Sequence, residues 1–398
     1  MTDTAFISDD TKFVKLLYQK LERLCPALGE LEPYEFGYCM ENWNPPQGWN
    51  SVQLENKAEI EKKINDFAFY KSIQINNKVN GNFVLDEKIA HLTRMLFAGL
   101  VSSDYELDWV DKHFYFDPRG FFFLTRTTYF TQRVIDRFGG NPYASFEKKQ
   151  REFEKLNGVG YKAFMAANRE VDECFIQCVQ KLIKIKKTPI LLGIAGQTAA
   201  GKTEIVERLT KAFKEAGQKV TSIEMDNFLT DRDYREAHGI DSEGKQALHF
   251  DLLTRALADI TAGKKIRIPR YDFVSATSSH DIDGKLKSGS EMVEVEPADI
   301  IFMEGNFPFL LDEIKDLIGI KVVYLTDDPV RLKRKWKRDM DYRKKYSLNY
   351  FRNRYFKDQF IMAQIAYIPQ LETCDLAVDT TEAAIWATPD TSAMLRRA

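Results

Sequence analysis

No stretch of this 398-residue chain approaches the run of about 20 apolar residues that spans a bilayer, so a membrane partner is not expected. Nor does either charge dominate. The 57 Lys and Arg against 59 Asp and Glu leave a net −2, which gives no reason to expect a nucleic-acid partner. Low-complexity tracts and internal repeats are absent. Cysteine is sparse: Cys25, Cys39, Cys174, Cys178 and Cys374 are scattered along the chain. Cys174 and Cys178 fall four apart on one face of an expected helix. With no second pair and no nearby histidine they read as core packing rather than a metal site. The opening residues Met1-Thr2-Asp3-Thr4-Ala5 lack a basic region followed by an apolar run, so no secretory signal is expected. Reduced cysteines suit the cytoplasm.

What is present is sharper. Gly196-Gln197-Thr198-Ala199-Ala200-Gly201-Lys202-Thr203 spells G-x-x-x-x-G-K-T, the spacing of a loop that grips a nucleotide's phosphates. Its glycines allow backbone N–H groups to converge on phosphate oxygens. Lys202 can reach the outer phosphates, and the Thr203 hydroxyl can hold Mg²⁺. Before the loop, Pro189 to Ala195 is an apolar run that reads as a buried strand. After it, Ile205, Val206, Leu209 and Phe213 recur at helical spacing over Thr203 to Ala216, and Gly217 stops the pattern. A helix N-terminus therefore faces the phosphates and adds its dipole.

The chain beyond the loop alternates strand and helix, as a parallel sheet covered by helices requires. Strands are expected at Lys219–Glu224, Ile266–Ile268, Ile300–Met303 and Val322–Leu325, with a helix over Leu252–Ile260. In such sheets ligands bind at the carboxyl ends of strands, so the residues there carry the chemistry. Asp226 follows the second strand and can accept a proton from an acceptor hydroxyl. Glu304, followed by Gly305, ends the Ile300–Met303 strand and can organise Mg²⁺. Arg331 to Lys345 holds nine Lys and Arg among fifteen residues, with Leu332, Trp336 and Met340 on one helical stripe. Arg334 and Arg338, at i, i+4, are the candidates for a cationic lid over the terminal phosphate; Arg331 and Arg343 are weaker ones. A GTPase would want Asp-x-x-Gly after a strand and Asn-Lys-x-Asp, and neither is in the right place; a ring ATPase would want a strand ending in Asp-Glu.

The chain before Lys184-Ile185-Lys186-Lys187-Thr188-Pro189 reads as mixed α and β. Phe13–Leu24, Ile89–Leu100 and Val171–Lys184 are expected helices, and Phe114–Leu124 two strands about a Pro-Gly turn. The aromatic cluster there and Trp43 to Trp49 read as core and loop packing. The expected division is 1–185 as an α+β domain without a legible role, 186–385 as the phosphate-binding domain, and 386–398 as a tail.

An ordered set of motifs from Pro189 to Asp379 resembles the phosphoribulokinase/uridine kinase family of P-loop kinases. The set comprises the G-x-x-x-x-G-K-T loop, Asp226-Asn227-Phe228, Phe250-Asp251 and Pro269-Arg270-Tyr271-Asp272-Phe273. It continues with Ile301-Phe302-Met303-Glu304-Gly305, Arg331-x-x-Arg334-x-x-x-Arg338-Asp339 and Cys374-Asp375-Leu376. The resemblance implies an α/β fold with a parallel sheet flanked by helices, and ATP- and Mg²⁺-dependent phosphoryl transfer to a hydroxyl of a small-molecule acceptor. It implies Asp226 as general base, Lys202 and Gly196–Thr203 on ATP, Thr203 and Glu304 on Mg²⁺, and Arg338 in the lid. By the same resemblance Asp251 would bind acceptor hydroxyls and Tyr271 would lie against the acceptor. The chain departs from the pattern in having Ala276 where a histidine is usual, with His280 four residues on. It also has Tyr342-Arg343-Lys344-Lys345 in place of Glu-Arg-Gly-Arg, which puts Arg343 at an acceptor-recognising position. Those changes leave a second reading, a nucleotide-binding regulatory protein with a degenerate acceptor site. A homo-oligomer and a protein partner for residues 1–185 are compatible with the sequence, which identifies neither.

Overall fold

A computed structural model describes residues 9–149, 165–240, 244–339 and 347–397. The chain condenses into two compact units: residues 9–128 with 347–363 form one, and the remaining described residues form the other.

The first unit is mostly helical. Helices α1 (Asp9–Leu24) and α2 (Glu87–Ser102) cover the expected helical spans, and strands β1 (Phe114–Asp117) and β2 (Phe122–Thr125) form the expected antiparallel pair. Asp86 caps α2 by accepting from the Lys88 N–H at 2.9 Å. The aromatic residues are core: Phe97 of α2 meets Phe123 and Phe116 of the hairpin at ring-centre distances of 5.6 and 5.9 Å, and Trp43 and Trp49 are buried. The helix Leu348–Met362, far downstream in sequence, belongs to this unit. Its Phe360 stacks on Tyr70 at 3.9 Å, and its buried Asn353 accepts from the Asp86 N–H and donates to the Val84 carbonyl.

The second unit is built on a seven-stranded sheet. In chain order its principal elements are β3 (Ala144–Ser145), α3 (Arg169–Lys184), β4 (Ile190–Ala195), α4 (Lys202–Glu215), β5 (Val220–Glu224), α5 (Phe250–Thr261), β6 (Ile266–Ile268) and β7 (Val293–Val295). These are followed by β8 (Ile300–Gly305), β9 (Ile318–Leu325), α6 (Asp328–Lys337), β10 (Leu376–Asp379), β11 (Ala384–Ala387) and α7 (Pro389–Arg397). Across the sheet the order is β3-β11-β10-β9-β4-β8-β5. The five strands from β10 to β5 run parallel, and β11 and β3 add antiparallel edges. The fully buried β4 sits between β8 and β9, so its carboxyl end opens where the chain order reverses, the place where such sheets bind ligands. The expected strand Ile266–Ile268 does form, but outside this sheet, paired antiparallel with β7. Three residues with an exposed Arg267 between buried isoleucines suit a one-sided ribbon rather than a two-sided core strand.

Contacts do not follow the boundaries expected at 185/186 and 385/386. The apolar stripe of α3, Val171, Phe175, Cys178, Val179 and Leu182, lies in the same core as β4 and α4, together with Leu395 of α7. The lysine-rich link after α3 reads as a break because its side chains are exposed, but the helix before it is committed to the sheet. Buried Asp172 of α3 ties this packing together. It accepts from the Tyr324 hydroxyl of β9 at 2.7 Å and pairs with Arg208 of α4. Burial pushes its carboxyl up to about 6, against the pull of Tyr324 and Arg208.

Asp172→Ala removes the acceptor for a buried hydroxyl and a half-buried guanidinium at once. The unfolding free energy from a urea titration should fall by about 2–4 kcal/mol. A change below about 0.5 kcal/mol, the range of ordinary surface substitutions, would contradict this role.

Candidate functional site

The phosphate loop joins β4 to α4, and five of its consecutive carbonyls are held. Lys202 Nζ donates to the Gly196 and Gln197 carbonyls at 2.9 and 3.0 Å. Arg331 donates to the Thr198 carbonyl at 3.3 Å and Arg334 to that of Ala199 at 3.2 Å. The Thr326 hydroxyl donates to the Ala200 carbonyl at 2.7 Å. In a trans peptide the carbonyl and the following N–H point opposite ways. Holding the Thr198 and Ala200 carbonyls therefore turns the Ala199 and Gly201 N–H groups away from those donors, and both residues line a cavity of about 260 Å³. Ala199 (φ +63°) and Gly201 (φ +103°) take left-handed backbone, the alternation that makes an anion-binding concavity. Gly196 is required by space instead: a Cβ there would stand 2.3 Å from the Tyr324 carbonyl oxygen.

Thr198 to Thr203, Glu204, Glu224, Asp226, Phe273, Glu304 to Asn306 and Arg338 line the cavity. The Thr203 hydroxyl donates to Glu304 Oε1 at 2.8 Å, and Lys202 also reaches Asn306 Oδ1 at 3.2 Å. Asp226 lies in the tight turn Met225–Phe228 directly after β5, and Glu304 near the end of β8 in register with Glu224 of β5. Burial pushes the Glu304 carboxyl up to about 7; the charges of Glu224 and Asp226 add to this, while Lys202 and Thr203 oppose it. Burial also raises Glu224, helped by Asp226 and Glu207, and lowers Lys202 against the pull of Glu304 and Asp226. Cations and carboxylates thus line one common space.

Lys202, Thr203, Asp226, Glu304 and Arg338 are thus brought together. Arg338 donates to the Thr198 hydroxyl at 2.9 Å, while Arg334 grips the loop from its carbonyl side. Asp251 is exposed on the first turn of α5 and is not among the lining residues. Tyr271 is buried; its hydroxyl accepts from Arg235 at 3.3 Å, and its ring packs edge-on against Phe273, which lines the cavity in its place. Arg343 and Met340 fall outside the described residues.

Sequence reasoning had not singled out Glu224, Phe273 and Asn306. Each lies two residues from one that was given a role, Asp226, Tyr271 or Glu304, and Phe273 stands in the same motif as Tyr271, but side-chain direction at a strand end or turn is not readable from spacing. Arg331, read as a weak lid candidate, is 3% exposed and paired with Asp328, so it supports the loop from behind.

Residues 191–384 match the model of the phosphoribulokinase/uridine kinase family. Over 214 residues the chain is 30% identical to a uridine kinase of Lactobacillus helveticus, covering 49% of this chain and 93% of that one. A uridine kinase of Streptococcus agalactiae is 29% identical over 162 residues, which are 40% of this chain and 72% of that one. Among solved structures, a phosphoribulokinase from Rhodobacter spheroides overlays with a TM-score of 0.36 at 18% identity, covering 48% of this chain and 70% of that one.

The 2.3 Å approach at Gly196 sets up a simple comparison. Gly196→Ala should cost about 1–3 kcal/mol of stability through overpacking. Gly37→Ala, in a helix with nothing within 4 Å of the added methyl, should cost nothing. Equal unfolding midpoints for both variants would contradict the close approach.

Proposed function

This chain belongs to the phosphoribulokinase/uridine kinase family, and from that premise we propose that it transfers a phosphoryl group from ATP to a hydroxyl of a nucleoside or sugar-like acceptor. The observation that carries the reading is the meeting of Lys202, Thr203, Asp226, Glu304 and Arg338 around one cavity at the carboxyl ends of β4, β5 and β8. In this reading the loop amides, Lys202 and the N-terminus of α4 hold the phosphates of ATP. The Thr203 hydroxyl and Glu304 are hard oxygen donors 2.8 Å apart, a set that fits Mg²⁺ beside phosphate oxygens. Mg²⁺, when bound, supplies charge neutralisation on the transferring group. Asp226 accepts the proton of the acceptor hydroxyl as that oxygen bonds to the γ-phosphorus. The bond from the γ-phosphorus to its bridging oxygen breaks, and ADP leaves. Arg338, at the cavity wall, supplies positive charge for the transition state, while Arg334, one helical turn before it, holds the Ala199 carbonyl from outside the cavity.

We place the catalytic module in the whole second unit rather than in 186–385 alone, because α3, β3 and α7 are part of its sheet and core. All five cysteines are free and, among the described residues, no helix is long and apolar enough to cross a membrane; the free thiols support a cytoplasmic setting. The second reading, a nucleotide-binding regulatory protein, is favoured by one observation: Asp251 is exposed and the Tyr271 hydroxyl is engaged by Arg235, so neither side chain faces the cavity.

Purified chain with ATP, Mg²⁺ and a panel of nucleosides, sugars and sugar phosphates separates the two. Acceptor-dependent ADP release is the expected result; nucleotide binding without turnover across the panel would favour the regulatory reading. With an active acceptor, Lys202→Ala and Asp226→Asn should each lower turnover at least about 100-fold. Asp226→Asn should still bind MgATP like the unaltered chain. Full turnover by Asp226→Asn would overturn its assignment as base, and turnover undiminished by EDTA would overturn the role of Mg²⁺.

A further inference from the structure

One side chain that supports the phosphate loop comes from outside the family-matched span 191–384. Tyr129 opens the segment 129–149 that belongs to the second unit, and it is 9% exposed. Its hydroxyl donates to Asp328 Oδ1 at 3.0 Å. Asp328 and Arg331, each 3% exposed, form an ion pair at 2.8 Å on the first turn of α6. Arg331 Nη2 reaches the Tyr129 hydroxyl at 3.4 Å, closing a ring of three groups, and Nη1 extends to the Thr198 carbonyl at 3.3 Å. Burial keeps the Tyr129 hydroxyl protonated, so it stays a donor to Asp328.

A guanidinium is a planar fork whose donors point in fixed directions. Asp328 engages one arm of the Arg331 fork, and the Tyr129 oxygen shares it. With that arm fixed, the plane of the fork is fixed, and the other arm is aimed at Thr198. The Thr198 side chain is meanwhile held by Arg338 at 2.9 Å, so both ends of this loop residue are gripped from α6 and its continuation. The Thr198 carbonyl in turn dictates where the Ala199 N–H points. The segment 129–149 is anchored independently: Phe130, next to Tyr129, stacks on Trp386 of β11, and farther along the segment β3 pairs with β11. Tyr129 is therefore delivered to Arg331 by a rigid piece of chain rather than by a loose arm.

We propose that Tyr129 is a positioning residue for nucleotide binding: by locking the Asp328–Arg331 pair it fixes the Thr198 carbonyl, and with it the Ala199 amide that meets a phosphate. It touches no nucleotide itself. The inference rests on the ATP-binding reading above, and calorimetric titration of MgATP into the full chain tests both in a way that keeps them apart. The unaltered chain is titrated first; absence of MgATP uptake would overturn the nucleotide reading and this assignment together. Given uptake, Tyr129→Phe, which removes only the hydroxyl, should weaken MgATP binding about tenfold with a near-native unfolding midpoint. Arg331→Lys should weaken it at least as much, and the loss in the double variant should fall short of the product of the two single losses, since the Tyr129 hydroxyl bears on Thr198 through Asp328 and Arg331. Asp328→Asn, which keeps the shape of the turn, should show the same loss and gives a second route to the answer. Unchanged MgATP affinity in Tyr129→Phe or in Asp328→Asn, or losses that multiply in the double variant, would overturn the assignment.

Discussion

A backbone loop can bind an anion only when its peptide units are prevented from turning their carbonyls toward it. That constraint organises the second unit of this protein. Lys202, Arg331, Arg334 and Thr326 between them hold every carbonyl from Gly196 to Ala200. The donors come from the loop helix, from the end of β9 and from α6, so the loop's shape is set by elements on several sides of it. The left-handed backbone at Ala199 and Gly201 is the local consequence. Such residues cost free energy in isolation, and they persist because the surroundings over-determine them.

The carboxylates that line the cavity follow a different logic. Glu224, Asp226 and Glu304 approach one another at the ends of β5 and β8, and burial together with mutual repulsion raises Glu304 and Glu224. Carboxylates are tolerated in such a cluster when cations face them, here Lys202 and Arg338. Carboxylates and cations around one cavity suit a metal–triphosphate complex that brings both signs of charge. Support for this arrangement reaches beyond the motif-bearing span, through Asp172 behind Tyr324 and Tyr129 behind Arg331.

Much of this was legible in the sequence. The loop, its strand and its helix announce themselves through glycine spacing, an apolar run and a 3.6-residue period that survive in any context. Asp226 and Glu304 could be found because topology assigns strand ends to the site. Contacts that depend on side-chain direction were not legible. Tyr271 and Phe273 are two residues apart, yet Phe273 lines the cavity while the Tyr271 hydroxyl is taken by Arg235. The extent of the unit was hidden for a related reason. A run of exposed lysines after α3 looks like a linker, and only tertiary packing reveals that Val171, Phe175 and Leu182 belong to the core around β4. Likewise nothing local links Leu348–Met362 to Tyr70, almost three hundred residues earlier, although their rings stack.

The central claim is that the Ala199 and Gly201 N–H groups of the phosphate loop are preset to receive phosphate. Amide hydrogen exchange of peptides covering residues 196–203, with and without MgATP, tests it most directly. The account predicts strong added protection in this segment on nucleotide addition. Exchange that is unchanged there while MgATP is bound would contradict it.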